Sequence, residues 1–177
     1  AKQMVYNEID FVAGGNDTVL YEEEIEFLKS NGWDVFIDDY QSFKSSDSQK
    51  MWALFDPDSI KYDIDRDTTQ IPSLAEMTRK ALSILSKNKE EGFFLLVEGS
   101  RVDWAAHRND PVTMVTEFLA FDQVVKLALE FAKANGETVI IICPDHGNSG
   151  IRIGNQYSND GYNKVKLVWC LYNPASY

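Results

Sequence analysis

The chain is short of several residue types on which other functional classes depend. Its two cysteines, Cys143 and Cys170, each sit inside an apolar run, so we expect buried thiols and no disulfide framework. The 17 lysines and arginines form no cluster and are outnumbered by 28 acidic residues, which leaves a formal net charge of −11. Nucleic acid and anionic membranes are therefore poor partners for this chain. The longest apolar runs, such as 138–143, are also far too short to cross a bilayer.

Strand-like and helix-like segments alternate over the 177 residues, a length that suits one domain. Residues 93–97 and 138–143 are near-continuous apolar runs, typical of strands buried on both faces. The longest helical pattern opens at Asp110-Pro111 and ends at Asn135-Gly136, and its broad apolar surface predicts that it is largely buried. This alternation predicts an α/β fold in which helices cover both faces of a mostly parallel sheet.

Shorter segments fit the same alternation. They are a strand at 8–13, an acidic helix that Asn31-Gly32 stops, a strand at 35–37, a polar loop or frayed helix at 41–49, an apolar run at 51–55, and a helix from the capping pair Ser73 and Glu76 to about residue 88.

Acidic and imidazole side chains follow both long apolar runs. Glu98 ends the first run, and Asp103 and His107 come next at a spacing of four, which places them on one face of a helix. Asp145 and His146 follow the second run in a loop between Pro and Gly. Ligands gather beyond the carboxyl ends of the strands in such sheets, so we expect all five residues at one rim. Carboxylate oxygen and imidazole nitrogen suit zinc or a similar divalent ion, and Glu98 suits a hard cation such as magnesium.

Each pattern also has a purely structural interpretation. His107 would be a helix-face residue, Asp145-His146 a turn with an aspartate cap, and Glu98 a solvated residue at a strand end. Trp104 is either a packing residue or a wall of the pocket. However, the chain has only two histidines, and each follows an aspartate after one of the two most strand-like runs, which favours a metal site. A bound metal would also supply the positive charge that an anionic substrate needs near this acidic chain.

Several segments together resemble the alkaline phosphatases. They are VEGSRVDWAAHRNDP, TEFLAFDQVVKLALEFAKANG and TVIIICPDHGNSG, in family order, and the likeness covers at least residues 52–164. It implies a three-layer αβα sandwich and a site with two zinc ions and one magnesium ion. By motif, the resemblance assigns Asp103 and His107 to the first zinc, Asp145 and His146 to the second, Glu98 to magnesium, and Trp104 to the pocket, at a position where the family varies among His, Lys and aromatic residues.

The resemblance implies an activity as well, the hydrolysis of a small phosphomonoester through a phosphoserine with metal assistance. It further implies a periplasmic or extracellular location and is compatible with a homodimer, although the start of the chain, AKQMVYNEIDF, has no signal-peptide pattern. The family's nucleophilic serine follows an early strand in an Asp-Ser-Ala-type loop. Nothing before Phe93 offers that context, since Asp47-Ser48 lies in a polar stretch. The phosphate-clamping arginine, a further aspartate and a third histidine are also missing.

We therefore expect residues 1–177 to form a partial alkaline phosphatase catalytic domain, inactive alone, with 169–177 as a candidate non-native tail. Two alternatives stay open. One is another metallo-hydrolase of the same architecture, such as a sulfatase, a phosphodiesterase or a mutase. The other is a noncatalytic metal-binding module, which the missing serine, arginine and histidine would favour.

Overall fold

A computed structural model describes residues 2–15, 20–57, 59–87 and 90–150, and the backbone of 152–157 and 165–168. The helices in these ranges are α1 (Lys2–Tyr6), α2 (Glu22–Ser30), α3 (Tyr40–Ser45), α4 (Leu74–Leu85), α5 (Ser100–His107) and α6 (Pro111–Asn135). The strands are β1 (Phe11–Gly15), β2 (Asp34–Ile37), β3 (Met51–Phe55), β4 (Arg152–Tyr157) and β5 (Val165–Val168), and a 3-10 turn spans Asp63–Asp65. None of the helices described is long and apolar enough to span a bilayer.

Strand β3 is the centre of a parallel sheet with the order β1-β3-β2. All five of its residues are buried, because successive side chains point to opposite faces and both faces are covered. One face packs against α3 and α4, and the other packs against α1 and α2. Strands β4 and β5 form a separate antiparallel pair. The predicted arrangement of helices on both sides of a parallel sheet is confirmed.

The predicted helix boundaries are confirmed where the sequence carries capping residues. The Ser73 hydroxyl accepts from the Glu76 amide at 3.1 Å, and a Glu76 carboxylate oxygen accepts from the Ser73 amide at 2.8 Å. The Asp110 carboxylate accepts from the Thr113 amide at 3.1 Å and so caps α6. Gly136 ends α6 with a φ of +78°, a left-handed conformation that favours glycine. Local hydrogen bonding decides these ends, so the sequence signals them well.

Two predicted strands, 93–97 and 138–143, are wrong in this structure. Neither segment pairs with a strand among the described residues, and both expose large apolar side chains. Phe94 is 88% exposed, Leu96 79%, Val139 85% and Ile141 83%. An apolar run carries a preference for a buried strand, but pairing also needs a neighbouring strand, and the described sheet ends at β1.

Two predictions of burial are wrong for the same reason, because no described part of the chain covers these surfaces. Helix α6 was expected to be largely buried, yet Phe118, Leu119 and Leu129 are exposed. Cys143 is exposed rather than buried, because it lies at the end of the uncovered 138–143 segment. Cys170 lies outside the described residues. The apolar pattern identified the faces that prefer burial, whereas burial itself depends on what packs against them.

Candidate metal-ligand site

Helix α5 carries the first carboxylate and imidazole pair. Gly99 precedes this helix and is closely packed, since a Cβ atom there would lie 2.9 Å from Cδ2 of Phe121 in α6. Glycine therefore allows α5 to sit directly against α6. Asp103 and His107 lie one turn apart on α5, and the distance from Asp103 Oδ2 to His107 Nε2 is 3.4 Å. The predicted pairing on one helix face is observed.

The loop after residues 138–143 brings the second pair to the same place. His146 Nε2 lies 3.3 Å from Asp145 Oδ2 and 4.0 Å from Asp103 Oδ1. His146 Nδ1 lies 3.1 Å from the carbonyl oxygen of Gly147. The loop thus brings His146 close to the carboxylate of Asp103, with Asp145 beside His146. The imidazoles of His107 and His146 therefore both approach the carboxylate of Asp103.

Two residues that the sequence reasoning missed tie this loop to α5. The Asn148 side-chain amide donates to Asp103 Oδ1 at 2.6 Å and to the Asp103 carbonyl oxygen at 3.2 Å. The Ser149 hydroxyl donates to the carbonyl oxygen of Ala106 at 2.6 Å. Because Asn148 occupies Oδ1, Oδ2 of Asp103 is the oxygen left facing His107. The polar turn after the Asp-His pair was the available signal for these roles.

The distances within each pair agree with the spacing of two donors on one zinc ion. Ligands about 2.0–2.1 Å from zinc in a tetrahedral arrangement lie about 3.3 Å from each other. The Asp103–His107 and Asp145–His146 pairs measure 3.4 Å and 3.3 Å. However, no group of three or more His, Cys, Asp and Glu side chains in the described part of the chain is arranged to hold a metal ion. The two pairs are each compatible with two donors to a metal ion, and their assignment to two zinc ions stays a prediction.

Glu98 and Trp104 make no hydrogen bond or ion pair with this cluster's carboxylates and imidazoles in the described part of the chain. Over the ranges that the structure covers, no hydrogen bond or ion pair links Glu98 to the two Asp-His pairs. Trp104 is exposed, and its ring lies 4.3 Å from the Arg101 guanidinium. The magnesium role of Glu98 and the pocket role of Trp104 therefore stay predictions.

Arg101 is a further residue that the sequence reasoning did not single out. Its guanidinium donates to the Ser59 hydroxyl at 2.7 Å and to the Ile60 carbonyl oxygen, and it lies 5.2 Å from the Tyr62 ring. It anchors the start of α5 to the loop that follows β3, and it places a positive charge one turn from Trp104. In a chain with a net charge of −11, such a local cation favours the approach of an anion.

The fold and the carboxylate and imidazole side chains gathered at helix α5 define a class, that of α/β proteins with side chains of the type that can bind divalent metals. The family model for alkaline phosphatase matches residues 10–168. The chain therefore belongs to the alkaline phosphatase family.

Known proteins of this family resemble the chain over most of its length. It is 36% identical over 151 residues to alkaline phosphatase 4 of Bacillus subtilis (strain 168), a match that covers 84% of this chain and 32% of the relative. It is similar to the structure of a cold-active alkaline phosphatase from the psychrophile Shewanella sp., with a TM-score of 0.77 and 29% identity over 85% of this chain and 37% of that one. It also resembles a mutant alkaline phosphatase of the Antarctic bacterium TAB5 with Mg bound in its M3 site, with a TM-score of 0.73 and 25% identity over 94% of this chain and 51% of that one. The match thus spans about a third of the length of the two Bacillus subtilis relatives and a smaller share of other curated relatives.

Proposed function

We propose that this chain supplies part of the catalytic site of a metal-dependent phosphomonoester hydrolase. The single observation that supports this most is the approach of both imidazoles, those of His107 and His146, to the carboxylate of Asp103. In this proposal, Asp103 and His107 hold one zinc ion, and Asp145 and His146 hold the other. Glu98 contributes to a magnesium site, and the relative with bound Mg supports the presence of such a site in the family. The periplasmic or extracellular location is proposed on the family resemblance alone.

The side chains of this chain would bind and orient the metals and the substrate. Divalent ions in these sites would polarise the phosphoryl oxygens and offset the negative charge that builds up during the reaction. Asn148 holds Oδ1 of Asp103, so that Oδ2 is directed to the side of His107. Arg101 adds a fixed positive charge at the start of α5. These interactions keep the donors in place before a ligand arrives.

The chain alone is proposed to be a poor enzyme. Ser149 is the hydroxyl nearest in sequence to the Asp-His loop, but its hydroxyl donates to the carbonyl oxygen of Ala106 and has no base beside it among the described residues. A phosphoserine intermediate then requires a serine from outside the described residues. Each partial zinc site also has only two donors here, which favours weak metal binding.

Zinc binding to the 177-residue chain tests the ligand assignment. Because two-donor sites bind zinc weakly, we expect two zinc equivalents by equilibrium dialysis at submillimolar zinc, and the loss of about one equivalent in each of the variants His107→Ala and His146→Ala. Glu130→Ala, which removes an exposed carboxylate from α6, is the control and keeps both equivalents. Unchanged zinc content in both histidine variants would contradict the proposal.

Activity assays separate the proposed function from its alternatives. We expect the chain alone to turn over p-nitrophenyl phosphate very slowly, and the same chain mixed with the rest of a curated relative's polypeptide to hydrolyse it in a chelator-sensitive way. Preference for p-nitrophenyl sulfate or bis(p-nitrophenyl) phosphate would instead favour a sulfatase or a phosphodiesterase. Since the described residues contain no three-ligand group, the noncatalytic module is the second candidate. Zinc binding without turnover under every condition would support that module.

A further inference from the structure

Arg101 is held in place by contacts on several sides. Its guanidinium donates to the Ser59 hydroxyl at 2.7 Å and to the Ile60 carbonyl oxygen. The guanidinium carbon lies 5.2 Å from the centre of the Tyr62 ring and 4.3 Å from that of Trp104. Ser59, Ile60 and Tyr62 belong to the segment that follows β3, so this segment fixes a planar cation against α5.

Trp104 occupies the middle of a row of side chains along α5. Arg101, Trp104 and His107 follow one another at a spacing of three, so they are neighbours on the helix surface. Helical side chains lean toward the start of their helix, which directs the indole of Trp104 onto the guanidinium that precedes it. The stacking distance of 4.3 Å agrees with this direction. Arg101 therefore covers one face of the indole.

The rest of the indole is open beside the metal-type donors. Trp104 is 45% exposed, and among the described residues no second ring or cation is stacked on it. The next side chain in the row is that of His107, whose Nε2 lies 3.4 Å from Asp103 Oδ2. Neighbours at this spacing have Cβ atoms about 5–6 Å apart. A flat apolar surface therefore borders the Asp103–His107 pair.

The stack on Arg101 gives the indole a reason to keep one orientation. An exposed tryptophan without a partner populates several rotamers, and ordering it costs conformational entropy. A cation over the ring offsets this cost best when the cation is shielded from water, and tryptophan is the strongest aromatic partner for it. Arg101 is half-buried and directs donors to Ser59 and Ile60, so it meets this condition. The side chain of Arg108, by contrast, lies against Tyr62.

We propose that Arg101 is a positioning residue that fixes the Trp104 indole as a wall for a planar ring, and that aryl phosphates are the substrates this wall favours. In an aryl phosphate the ring is attached directly to the ester oxygen, so a phosphate group at Asp103 and His107 places its ring beside the neighbouring Trp104. Two aromatic rings gain from offset-stacked or edge-to-face contact, which a saturated ring of the same size does not provide. The substrate class rests on the proposed function, whereas the positioning of Trp104 does not.

Fluorine NMR of the 177-residue chain labelled with 5-fluorotryptophan tests the positioning in the absence of metal. Trp104→Phe identifies the Trp104 signal, and the signals of the buried Trp33 and Trp52 report whether each variant is folded. Arg101→Met and Arg101→Gln both remove the charge and should move the Trp104 signal toward that of free 5-fluorotryptophan. Arg101→Lys restores a cation and should retain at least half of the original displacement.

Arg108→Met is the matched control, since it makes the same change two turns further along α5, where the side chain lies against Tyr62. It should leave the Trp104 signal in place. An unchanged Trp104 signal in both uncharged variants of Arg101 would overturn the positioning role. Equal shifts in the methionine variants of Arg101 and Arg108 would overturn it as well, because the effect would then not be specific to the stack.

Binding of phenyl phosphate and cyclohexyl phosphate to the same labelled chain tests the substrate class. The two monoesters are similar in size, but only the phenyl ring is planar. At pH 8 in submillimolar zinc, we expect phenyl phosphate to half-saturate the Trp104 signal at a concentration about two- to tenfold lower. This preference should disappear in Arg101→Met and persist in Arg108→Met.

The outcomes separate this proposal from the proposed function. Equal binding of the two esters by the unchanged chain would overturn the substrate class and leave the metal site intact. A preference for the phenyl ester that survives in Arg101→Met would overturn the positioning role. Binding of neither ester would overturn both the substrate class and the proposed metal site.

Discussion

The replacement of Asn148 by Ala tests whether the loop amide orients the metal-ligand carboxylate. Asn148 donates to Asp103 Oδ1 at 2.6 Å and to the Asp103 carbonyl oxygen at 3.2 Å. A hydrogen bond to a charged group contributes about 1.5–3 kcal/mol. If the loss of this hydrogen bond destabilises only the metal-bound state, the zinc affinity falls about 10- to 100-fold, which is the range typical of residues that orient a metal ligand. Competition with a chromogenic zinc chelator at pH 7.5 measures this difference.

The control keeps the carboxylate contacts and removes the other anchor of the loop. Ser149→Ala deletes the 2.6 Å hydrogen bond to the Ala106 carbonyl oxygen but leaves both contacts of Asn148 with Asp103. We expect it to weaken zinc binding by less than about tenfold, because a neutral hydrogen bond contributes about 1 kcal/mol. Equal losses in the two variants would mean that loop attachment, not carboxylate orientation, is what matters. Wild-type affinity in Asn148→Ala would refute the orienting role altogether.

Two other substitutions test packing and charge in the fold. Gly99→Ala should lower the free energy of urea unfolding by about 1–3 kcal/mol, because the new Cβ would lie 2.9 Å from Cδ2 of Phe121. Gly147→Ala is the control and should be neutral, since its Cβ would have nothing within 4 Å. Equal stability of the two variants would contradict the close packing of α5 on α6. Burial, and then the charge of Asp63, raise the pKa of Glu117 above its ordinary value of 4.5, so the folded state binds this proton more tightly than the unfolded chain. Stability should therefore fall as pH rises from the unfolded pKa through the folded one, and Glu117→Gln, which keeps an acceptor oxygen for the Asp63 amide, should lose that dependence in urea titrations across pH 4–7.

The helix ends and the Asp-His pairing were predictable because they depend on interactions between residues close in sequence. The capping box of Ser73 needs only the residue three positions later, and the spacing of Asp103 and His107 needs only one helical turn. The approach of His146 to Asp103 agrees with the expectation that these residues share one rim, although the segments before them, 93–97 and 138–143, are not paired as strands in this structure. Asn148 was missed because its partner lies 45 residues away, and the polar turn that contains Asn148 signals a loop but not that partner.

The sequence by itself determined the helix ends that carry capping residues, which segments prefer a strand, and which side chains carry metal-type donors, because capping, periodicity and side-chain chemistry act over a few residues. Only the tertiary structure decided that residues 93–97 and 138–143 expose Phe94 and Val139, and that β1 is an open edge, since pairing and burial require a neighbour. An apolar run carries a preference for a buried strand. Whether the run forms a buried strand depends on a neighbouring strand about 4.7–4.9 Å away on either side, and the sequence of the run does not specify that neighbour.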